Sequence, residues 1–416
     1  MKFSKRIKNN LSNPKELESF YREDKDQFIK AFSSVFSENP ENLLLQAWSE
    51  RLNFKNVQKT EKVNQKLVYL TVFLGILAGL AARTLFVYVD DGNVNPGNFS
   101  FVIFPLLMIY FFVHSNIKKK TIWYSLVAVA AIAGYFNTLP IENSHSSFLA
   151  TIHLPFLLWG FLAIAYLGKE LSSYRKRIEF IKYNGEMLLL AFFILFLGVI
   201  MTFLTIALFS AIKIDVFEFY AENIVIAGIA ASPIVATYLA TSFKKNIVKS
   251  VIPYLAKIFS PLVLITLIIY LFFLIEQGVS PFFERDTLIV FNAMLIAVLV
   301  LVIFVIAERA EDIHRSFNDY VTIALISVVI IINIVALSAI GFRLSSYGVT
   351  PNRIAVLGIN LLVFFHLIKI GFDYFRFIAN RTKLATAEKT IVGYLPIYVA
   401  WTAIVVFLFP VIFSFE

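Results

Sequence analysis

Two arginines lie in a short loop that joins two long apolar segments. The loop reads GFRLSSYGVTPNR, residues 341–353, and it contains Arg343 and Arg353 but no acidic residue. A guanidinium group binds carboxylates and phosphates through paired hydrogen bonds, so the chemistry that these residues offer is anion binding. We therefore predict a ligand-binding site that includes Arg343, Tyr347, Thr350 and Arg353.

Local sequence signals place the two arginines at helix ends. Gly348 supplies a turn position with positive φ, and Thr350 followed by Pro351 is typical of an N-cap and a first helical residue. Arg343 then lies in the last turn of one helix and Arg353 in the first turn of the next. A cation at a helix amino end opposes the helix dipole, at a cost of about 0.3–1 kcal/mol at an exposed site. We expect an outer carboxylate, a lipid phosphate or a bound anionic ligand to compensate Arg353.

Composition predicts the elements that position this loop. Of the 416 residues, 59% are hydrophobic and 16% are charged, whereas an average soluble chain is about half apolar and about a quarter charged. The apolar residues occur in blocks of roughly 20, the length that a helix needs to cross the hydrocarbon core. They lack the alternation of barrel strands, so we predict an all-α, polytopic membrane protein with about eleven transmembrane helices. The predicted spans are 67–88, 99–115, 121–138, 148–167, 187–210, 223–243, 251–275, 287–307, 320–342, 353–373 and 391–413.

Lysines and arginines are distributed unevenly between the two ends of these spans. One set of short loops holds 17 of them, and the opposite ends hold only 5. The five are Arg83, Lys213, Arg285, Arg343 and Arg353. The positive-inside rule then predicts a cytoplasmic amino terminus and an external carboxyl terminus, with the loop 341–353 outside. The net charge of +9 therefore reflects membrane orientation, and we expect no binding to nucleic acid.

The polar residues before the first span have a helical pattern of their own. Asn13 and Pro14 resemble a helix start, and two apolar stripes follow before residue 53. We predict a cytoplasmic domain of residues 1–66, with a bundle of two or three helices over 10–53 and a polar stalk. Residues 67–416 form the multi-pass transmembrane domain.

Two asparagines are the polar residues nearest to mid-depth. Asn333 lies in the ninth predicted span and Asn360 in the tenth, the two spans that the arginine loop joins. They either hydrogen-bond to each other, for about 0.6 kcal/mol, or line a polar pocket beneath Arg353. Both belong to the predicted ligand-binding site.

Other polar groups carry weaker signals. Asp90 and Asp91 form an alternative acidic site in the first outer loop, but Asp-Gly is also ordinary turn chemistry. Glu311, Asp312 and His314 are a weak metal-binding pattern, better explained by a solvated helix face. The chain has no cysteine, which excludes thiolate nucleophiles and cysteine-ligated metals. We expect no metal, no cofactor and no catalytic residue.

Four segments resemble a known family. RLSSYGVTPNR, the terminal YLPIYVAWTAIVVFLFPVIFSF, and the amino-terminal NPKELESFYREDKDQFIKAF and AWSERLNF are similar to an uncharacterised family of multi-pass bacterial membrane proteins of the Bacteroidetes type, domain of unknown function 4153. The resemblance implies a helical fold in the bacterial inner membrane. The family has no established activity, so the resemblance implies no catalytic role.

Three function classes remain open. The first is a non-enzymatic binding or transport module for an anionic lipid or a small anionic ligand, which uses the outer arginine loop. The second is a membrane scaffold or regulatory protein that recruits a cytoplasmic partner through residues 10–53. The third is an enzyme that acts on a lipid-linked substrate through Asp90 and Asp91.

Overall fold

The computed structural model is helical throughout its described residues. Helix accounts for 87% of the residues, and no strand occurs in the described part of the chain. Two compact units divide the chain, Met1–Val63 and Asn64–Glu416. The described residues are 2–53, 64–90, 92, 94–114, 117–140, 144–211, 215–242, 247–276, 282–283, 285–309 and 316–414.

The first unit contains four helices. Asn13 caps the second of them by accepting a hydrogen bond from the Glu16 N–H at 3.3 Å, and Pro14 is the first helical residue, as predicted. The range 10–53, for which two or three helices are predicted, contains three, and a further helix precedes it, in which Phe3 and Ile7 lie one turn apart and contribute to the core. The helices are α1 (Lys2–Lys8), α2 (Pro14–Glu23), α3 (Lys25–Glu38) and α4 (Leu43–Asn53).

Aromatic packing and one shared carboxylate hold the first unit together. The rings of Phe28 and Trp48 lie 5.1 Å apart in its core. Glu18 of α2 accepts hydrogen bonds from Arg51 of α4 and from Arg22 on its own helix. These two guanidinium groups lower the pKa of Glu18 to about 2. Residues 2–53 therefore have a core of their own.

Eleven long helices and one short one make up the second unit. The long helices overlie the eleven predicted spans, and each arises from an apolar block bounded by polar or glycine-containing connections. They are α5 (Gln65–Asp90), α6 (Phe99–His114), α7 (Lys119–Phe136), α8 (His145–Leu167), α9 (Tyr174–Ala211), α11 (Ile226–Ser242), α12 (Ile247–Glu276), α13 (Arg285–Ala307), α14 (Phe317–Tyr347), α15 (Pro351–Ile378) and α16 (Leu384–Ile412). The short α10 (Phe217–Tyr220) runs through a π-turn, Ala221–Val225, into α11.

Within the described residues, nine helices are long and apolar enough to cross a membrane, judged by length and composition. The other two long helices fall short for different reasons. Helix α7 has 18 residues and begins with Lys119 and Lys120, which lower its mean hydropathy. In α12 the apolar stretch Ser260–Phe272 is too short to cross a membrane by itself, because most side chains near the amino end of the helix lie outside the described residues.

The outward faces of these helices are apolar. In α9, Phe192, Phe193 and Phe196 are 61%, 49% and 54% exposed, and only 11% of the most apolar stretch of that helix is buried. Water would disfavour so large an apolar surface, whereas lipid does not. The chain is therefore a membrane-embedded, multi-pass helical protein.

Small residues let the helices of the second unit approach closely. Gly75 and Gly79 of α5 face Ala231 and Ala227 of α11, and a Cβ atom at Gly79 would lie 3.0 Å from the Ala227 Cβ. This is the packing expected of a Gly-x-x-x-Gly face. In α15, the indole of Trp401 from α16 occupies the space in which Gly358 would carry a side chain.

We expect Gly358→Ala to destabilise the fold by about 1–3 kcal/mol, because the added methyl group overlaps the Trp401 ring and forces it aside. Gly393→Ala on α16 is the matched control, since a Cβ atom there meets no other atom within 4 Å. Thermal unfolding of both variants in nanodiscs measures the difference. Equal losses of stability in the two variants would contradict the close packing.

Candidate functional site

The turn and the cap of the hairpin between α14 and α15 form as the sequence predicts, but α14 continues to Tyr347, so Arg343 lies before its last turn and not within it. Gly348 has φ 78°, and its N–H donates to the Leu344 carbonyl at 3.1 Å, which closes α14. The Thr350 hydroxyl accepts a hydrogen bond from the Arg353 N–H at 3.4 Å, and Pro351 is the first residue of α15. The loop therefore has a defined backbone geometry, which fixes the positions from which the two arginine side chains extend.

Arg353 contacts the carboxyl end of the preceding helix. Its Nη1 donates to the carbonyl oxygens of Tyr347 at 2.7 Å and Gly348 at 2.6 Å. These carbonyls carry the negative end of the α14 dipole, so they stabilise a cation that the amino end of α15 alone disfavours. Within the described residues, the partners that compensate Arg353 are thus neutral carbonyl groups and not a carboxylate.

Two guanidinium groups flank one exposed ring. The Arg343 and Arg353 carbons lie 5.8 and 5.7 Å from the centroid of Tyr347, which is 56% exposed. Arg343 also donates from Nη1 to the Phe283 carbonyl at 3.5 Å, the outer limit of a hydrogen bond. Tyr347 therefore separates two cations at the surface of the loop.

Both guanidinium groups retain an unused edge. Neither arginine forms an ion pair with any described carboxylate, and Nε and Nη2 of both lack a hydrogen-bond partner in the same part of the chain. The Nε–Nη2 edge is the one that pairs with two oxygens of a carboxylate or phosphate. The side chains of Glu284 and Asp286, which follow Phe283 closely, lie outside the described residues.

The two predicted asparagines meet a third. Asn333 donates from Nδ2 to the backbone carbonyl of Asn360 at 3.3 Å, and Asn360 donates from Nδ2 to the Asn292 side-chain oxygen at 2.9 Å. The cluster joins α13, α14 and α15, and Asn333 and Asn360 are 0% and 2% exposed. Asn360 lies seven residues after Arg353, about 10 Å further along the same face of α15.

Asn333 has one unsatisfied atom. Its Oδ1 is buried and has no hydrogen-bond partner among the described residues, which normally costs about 1–3 kcal/mol. The sequence analysis did not single out Asn292, although it is an amide residue within the apolar segment IVFNAMLIAV. The sequence of this segment does not reveal that Asn292 contacts Asn360.

A buried histidine was also missed. His366 lies in the middle of α15, is 0% exposed, and stacks on the Tyr394 ring with centroids 4.1 Å apart. Its Nδ1 is 3.0 Å from the Tyr398 hydroxyl, and its Nε2 has no partner in the described part of the chain. The sequence feature that could have identified His366 is a histidine inside the apolar segment FFHLIK, since ionisable groups within a membrane span are functional candidates by default.

A buried ion pair connects α14 to the end of α13. Arg309 donates from Nε and Nη2 to the two Asp319 carboxylate oxygens at 2.7 and 2.8 Å, and the Tyr374 hydroxyl donates to the same carboxylate at 2.6 Å. The Ser316 N–H adds a fourth hydrogen bond at 2.8 Å. Every strong partner of this pair is internal, so its role is to join helix ends.

The remaining candidates are not brought into one site. Asp91 and the segment 310–315, with Glu311, Asp312 and His314, lie outside the described residues, as does the side chain of Asp90. His153 makes a local contact from Nδ1 to the Leu149 carbonyl at 2.8 Å. Among the described residues, no three histidine, aspartate or glutamate side chains lie close enough to hold a metal ion.

No protein-family model, curated protein or solved structure matches this chain. The resemblance that the loop motif carries therefore stays a prediction, and the class of the protein follows from its own helices.

The asparagine cluster yields a test of which amide the fold needs. We expect Asn360→Leu to lower the stability by about 1 kcal/mol, because it leaves the Asn292 oxygen without a donor. Asn333→Leu should be nearly neutral, since the Asn360 carbonyl also belongs to the helical ladder and an unsatisfied oxygen is removed. Thermal unfolding in nanodiscs compares the two. A larger loss for Asn333→Leu would show that Oδ1 has a partner that stabilises the fold.

Proposed function

We propose that this chain is a non-enzymatic binding or transport module of the bacterial inner membrane. It takes an anionic lipid headgroup or a small anionic ligand at the outer loop between α14 and α15. The observation that carries the proposal is the pair of guanidinium groups beside Tyr347, each with its Nε–Nη2 edge unpaired in the described part of the chain. A phosphate or carboxylate supplies the two oxygens that such an edge accepts.

The hairpin contributes preorganisation. Because Arg353 Nη1 is already held by two carbonyl groups, its guanidinium plane is fixed before any ligand arrives. A fixed plane loses less conformational entropy on binding than a mobile side chain. Asn333 and Asn360 lie deeper along the same helices and place polar atoms behind the loop. Thr350 belongs to the site by capping α15, since it positions Arg353.

The proposal includes an orientation, with the amino terminus in the cytoplasm and about eleven spans. The positive-inside distribution supports the orientation, and the pairing of side chains supports their assignment to one common side. Arg83 donates to Glu222 at 3.1 Å and to Asn223 at 2.8 Å, and the orientation places all three outside. The resemblance to a bacterial multi-pass family supports the inner membrane as the location.

A second candidate function is recruitment of a cytoplasmic protein by residues 10–53. The supporting observation is that the first unit forms a compact body with its own aromatic core, which a simple anchor or stalk does not require.

Single-cysteine variants test the orientation, because the natural chain has no cysteine. Ser346 and Ser172 are both exposed and belong to loops assigned to opposite sides. We expect an impermeant maleimide to label Ser346→Cys in intact spheroplasts and Ser172→Cys only after lysis. The reverse pattern would place the arginine loop in the cytoplasm and remove the basis of the proposal.

Arg353 variants test the ligand. Arg353→Gln keeps an amide donor for the Tyr347 and Gly348 carbonyls but removes the charge, and Arg353→Lys keeps the charge but removes the paired edge. We expect both to weaken binding of phosphatidylglycerol about tenfold, as measured by native mass spectrometry. Arg381→Gln is the matched control, because Arg381 is exposed and far along the chain from the loop.

Equal weakening by Arg353→Gln and Arg381→Gln would show only general charge attraction and would overturn the proposed site. Glu284→Gln and Asp286→Asn separate a bound anion from an internal carboxylate. If phosphatidylglycerol binds only when one of these acids is neutralised, the acid occupies the arginine edge and the proposal fails.

A further inference from the structure

A cavity of about 400 Å³ lies where four helix ends meet, in a part of the second unit that the proposed outer site does not use. It is formed by the carboxyl ends of α6, α8 and α11 and by the first three turns of α9. Its volume is within the usual range for small-molecule sites. The proposed orientation places it at the cytoplasmic side, but the chemistry of its walls is independent of that assignment.

The two acidic side chains of the cavity are already engaged. The Glu179 carboxylate forms an ion pair with the Lys176 ammonium at 2.7 Å, and that ammonium also lies 5.9 Å from the Tyr166 ring. Glu186 takes part in an interaction as well. The ammonium of Lys176 therefore offsets the charge of Glu179, and Lys182 is left to offset the charge of an anionic ligand.

The polar groups without partners are hydrogen-bond donors or neutral rings. Lys182 lines the cavity and forms no ion pair with a described residue, and the Tyr166 hydroxyl has no hydrogen-bond partner in the same part of the chain. His114, at the end of α6, stacks on Tyr110 and likewise has no described hydrogen-bond partner. Three helices thus each contribute one available donor group to the same half-open cavity, a pattern that suits an oxyanion.

The rest of the wall is aromatic and rigid. The rings of Tyr166 and Tyr183 are stacked with centroids 5.2 Å apart, and the Phe111 ring meets both edge-on at 5.1 and 5.2 Å. Tyr183 is fixed by a 2.8 Å hydrogen bond to Thr237 of α11. This surface can contact the carbon skeleton of a ligand whose charged group is bound by Lys182.

We propose that this cavity binds the phosphate group of an organic phosphate monoester, with Lys182 as the cation and Tyr166 as a donor. A phosphate has three terminal oxygens for donors that come from three helices, whereas a carboxylate has two. Inorganic phosphate alone fills only part of a cavity of this volume, so the aromatic wall selects for an organic substituent. The phosphate belongs either to a soluble metabolite or to a lipid headgroup at the membrane surface.

The experiment uses the full-length protein carrying Arg353→Gln, so that binding at the outer loop is weakened about tenfold relative to the natural chain. Two probes distinguish the sources of the phosphate: glycerol 3-phosphate, titrated calorimetrically into protein in phosphatidylcholine nanodiscs, and phosphatidic acid, added to the nanodisc lipids and followed by thermal unfolding. We expect at least one probe to bind. Binding of glycerol 3-phosphate identifies a soluble ligand, and stabilisation by phosphatidic acid alone identifies a lipid.

Variants of the cavity decide whether this binding is at the proposed site. We expect Lys182→Gln to weaken the effective probe about tenfold or more and Tyr166→Phe to weaken it about fivefold, with Lys182→Arg retaining most of the affinity. Lys169→Gln is the control for net charge, because Lys169 is exposed and does not line the cavity. Thermal unfolding of each variant without ligand verifies that it folds. If Lys182→Gln is unstable, Tyr166→Phe still tests the site, because it removes only a hydroxyl group.

Two results would overturn this inference. One is the absence of binding by both probes, and the other is equal weakening by Lys182→Gln and Lys169→Gln. Either result bears on the cavity alone, because binding at the outer loop is already weakened in the protein used and the Arg353 variants are compared in a separate measurement. Conversely, equal weakening of phosphatidylglycerol binding by Arg353→Gln and Arg381→Gln would overturn the outer site and would leave the cavity measurement unaffected.

Discussion

Hydrocarbon offers no water to an unpaired polar group, and this constraint favours a partner within the protein for each polar side chain of the second unit. Hydroxyl groups satisfy it within their own helix: Thr71, Thr202 and Ser327 each donate to the carbonyl four residues earlier, at 2.7–2.9 Å. Amides, imidazoles and carboxylates have too many polar atoms for that solution. They lie between helices, where each needs a partner from another part of the chain.

Helix α15 is the element on which these partners concentrate. Arg353 holds the end of α14, Asn360 contacts Asn292 of α13, His366 contacts Tyr398 of α16, and Asp373 accepts from Thr390 of α16. These positions span 20 residues, about 30 Å of helix, which equals the thickness of the hydrocarbon core. Apolar packing alone lets neighbouring helices slide, whereas polar partners at successive depths permit one register. We interpret the polar positions of α15 as fixing the register of α13, α14 and α16.

The sequence predicts what depends on local order and misses what depends on partners. Helix positions, the Thr350 cap, the Gly348 turn and the unfavourable place of Arg353 all follow from neighbours within a few residues. The carbonyl groups that compensate Arg353 belong to the previous helix, and their role needs the closed hairpin. His366 and Asn292 are single polar residues in apolar segments, and the neighbouring sequence does not indicate which residues of other helices they contact. The cavity was missed because its walls come from four helices between residues 111 and 241.

The two proposed anion sites differ in construction, and the difference bears on how they relate. The proposed loop site presents planar guanidinium edges on an exposed hairpin of the apolar cluster around α12 to α15, which suits a headgroup that remains in the lipid. The proposed cavity site is a half-open volume within the cluster around α5, α6, α8 and α11, which suits a small molecule. Helices α9 and α16 contribute side chains to both clusters, and α8 contacts α15 and α16. These four helices are therefore the packed connection between the two proposed sites. The polar partners of α15 occur at successive depths of that connection, so a displacement of α15 along its axis would have to break several of them at once.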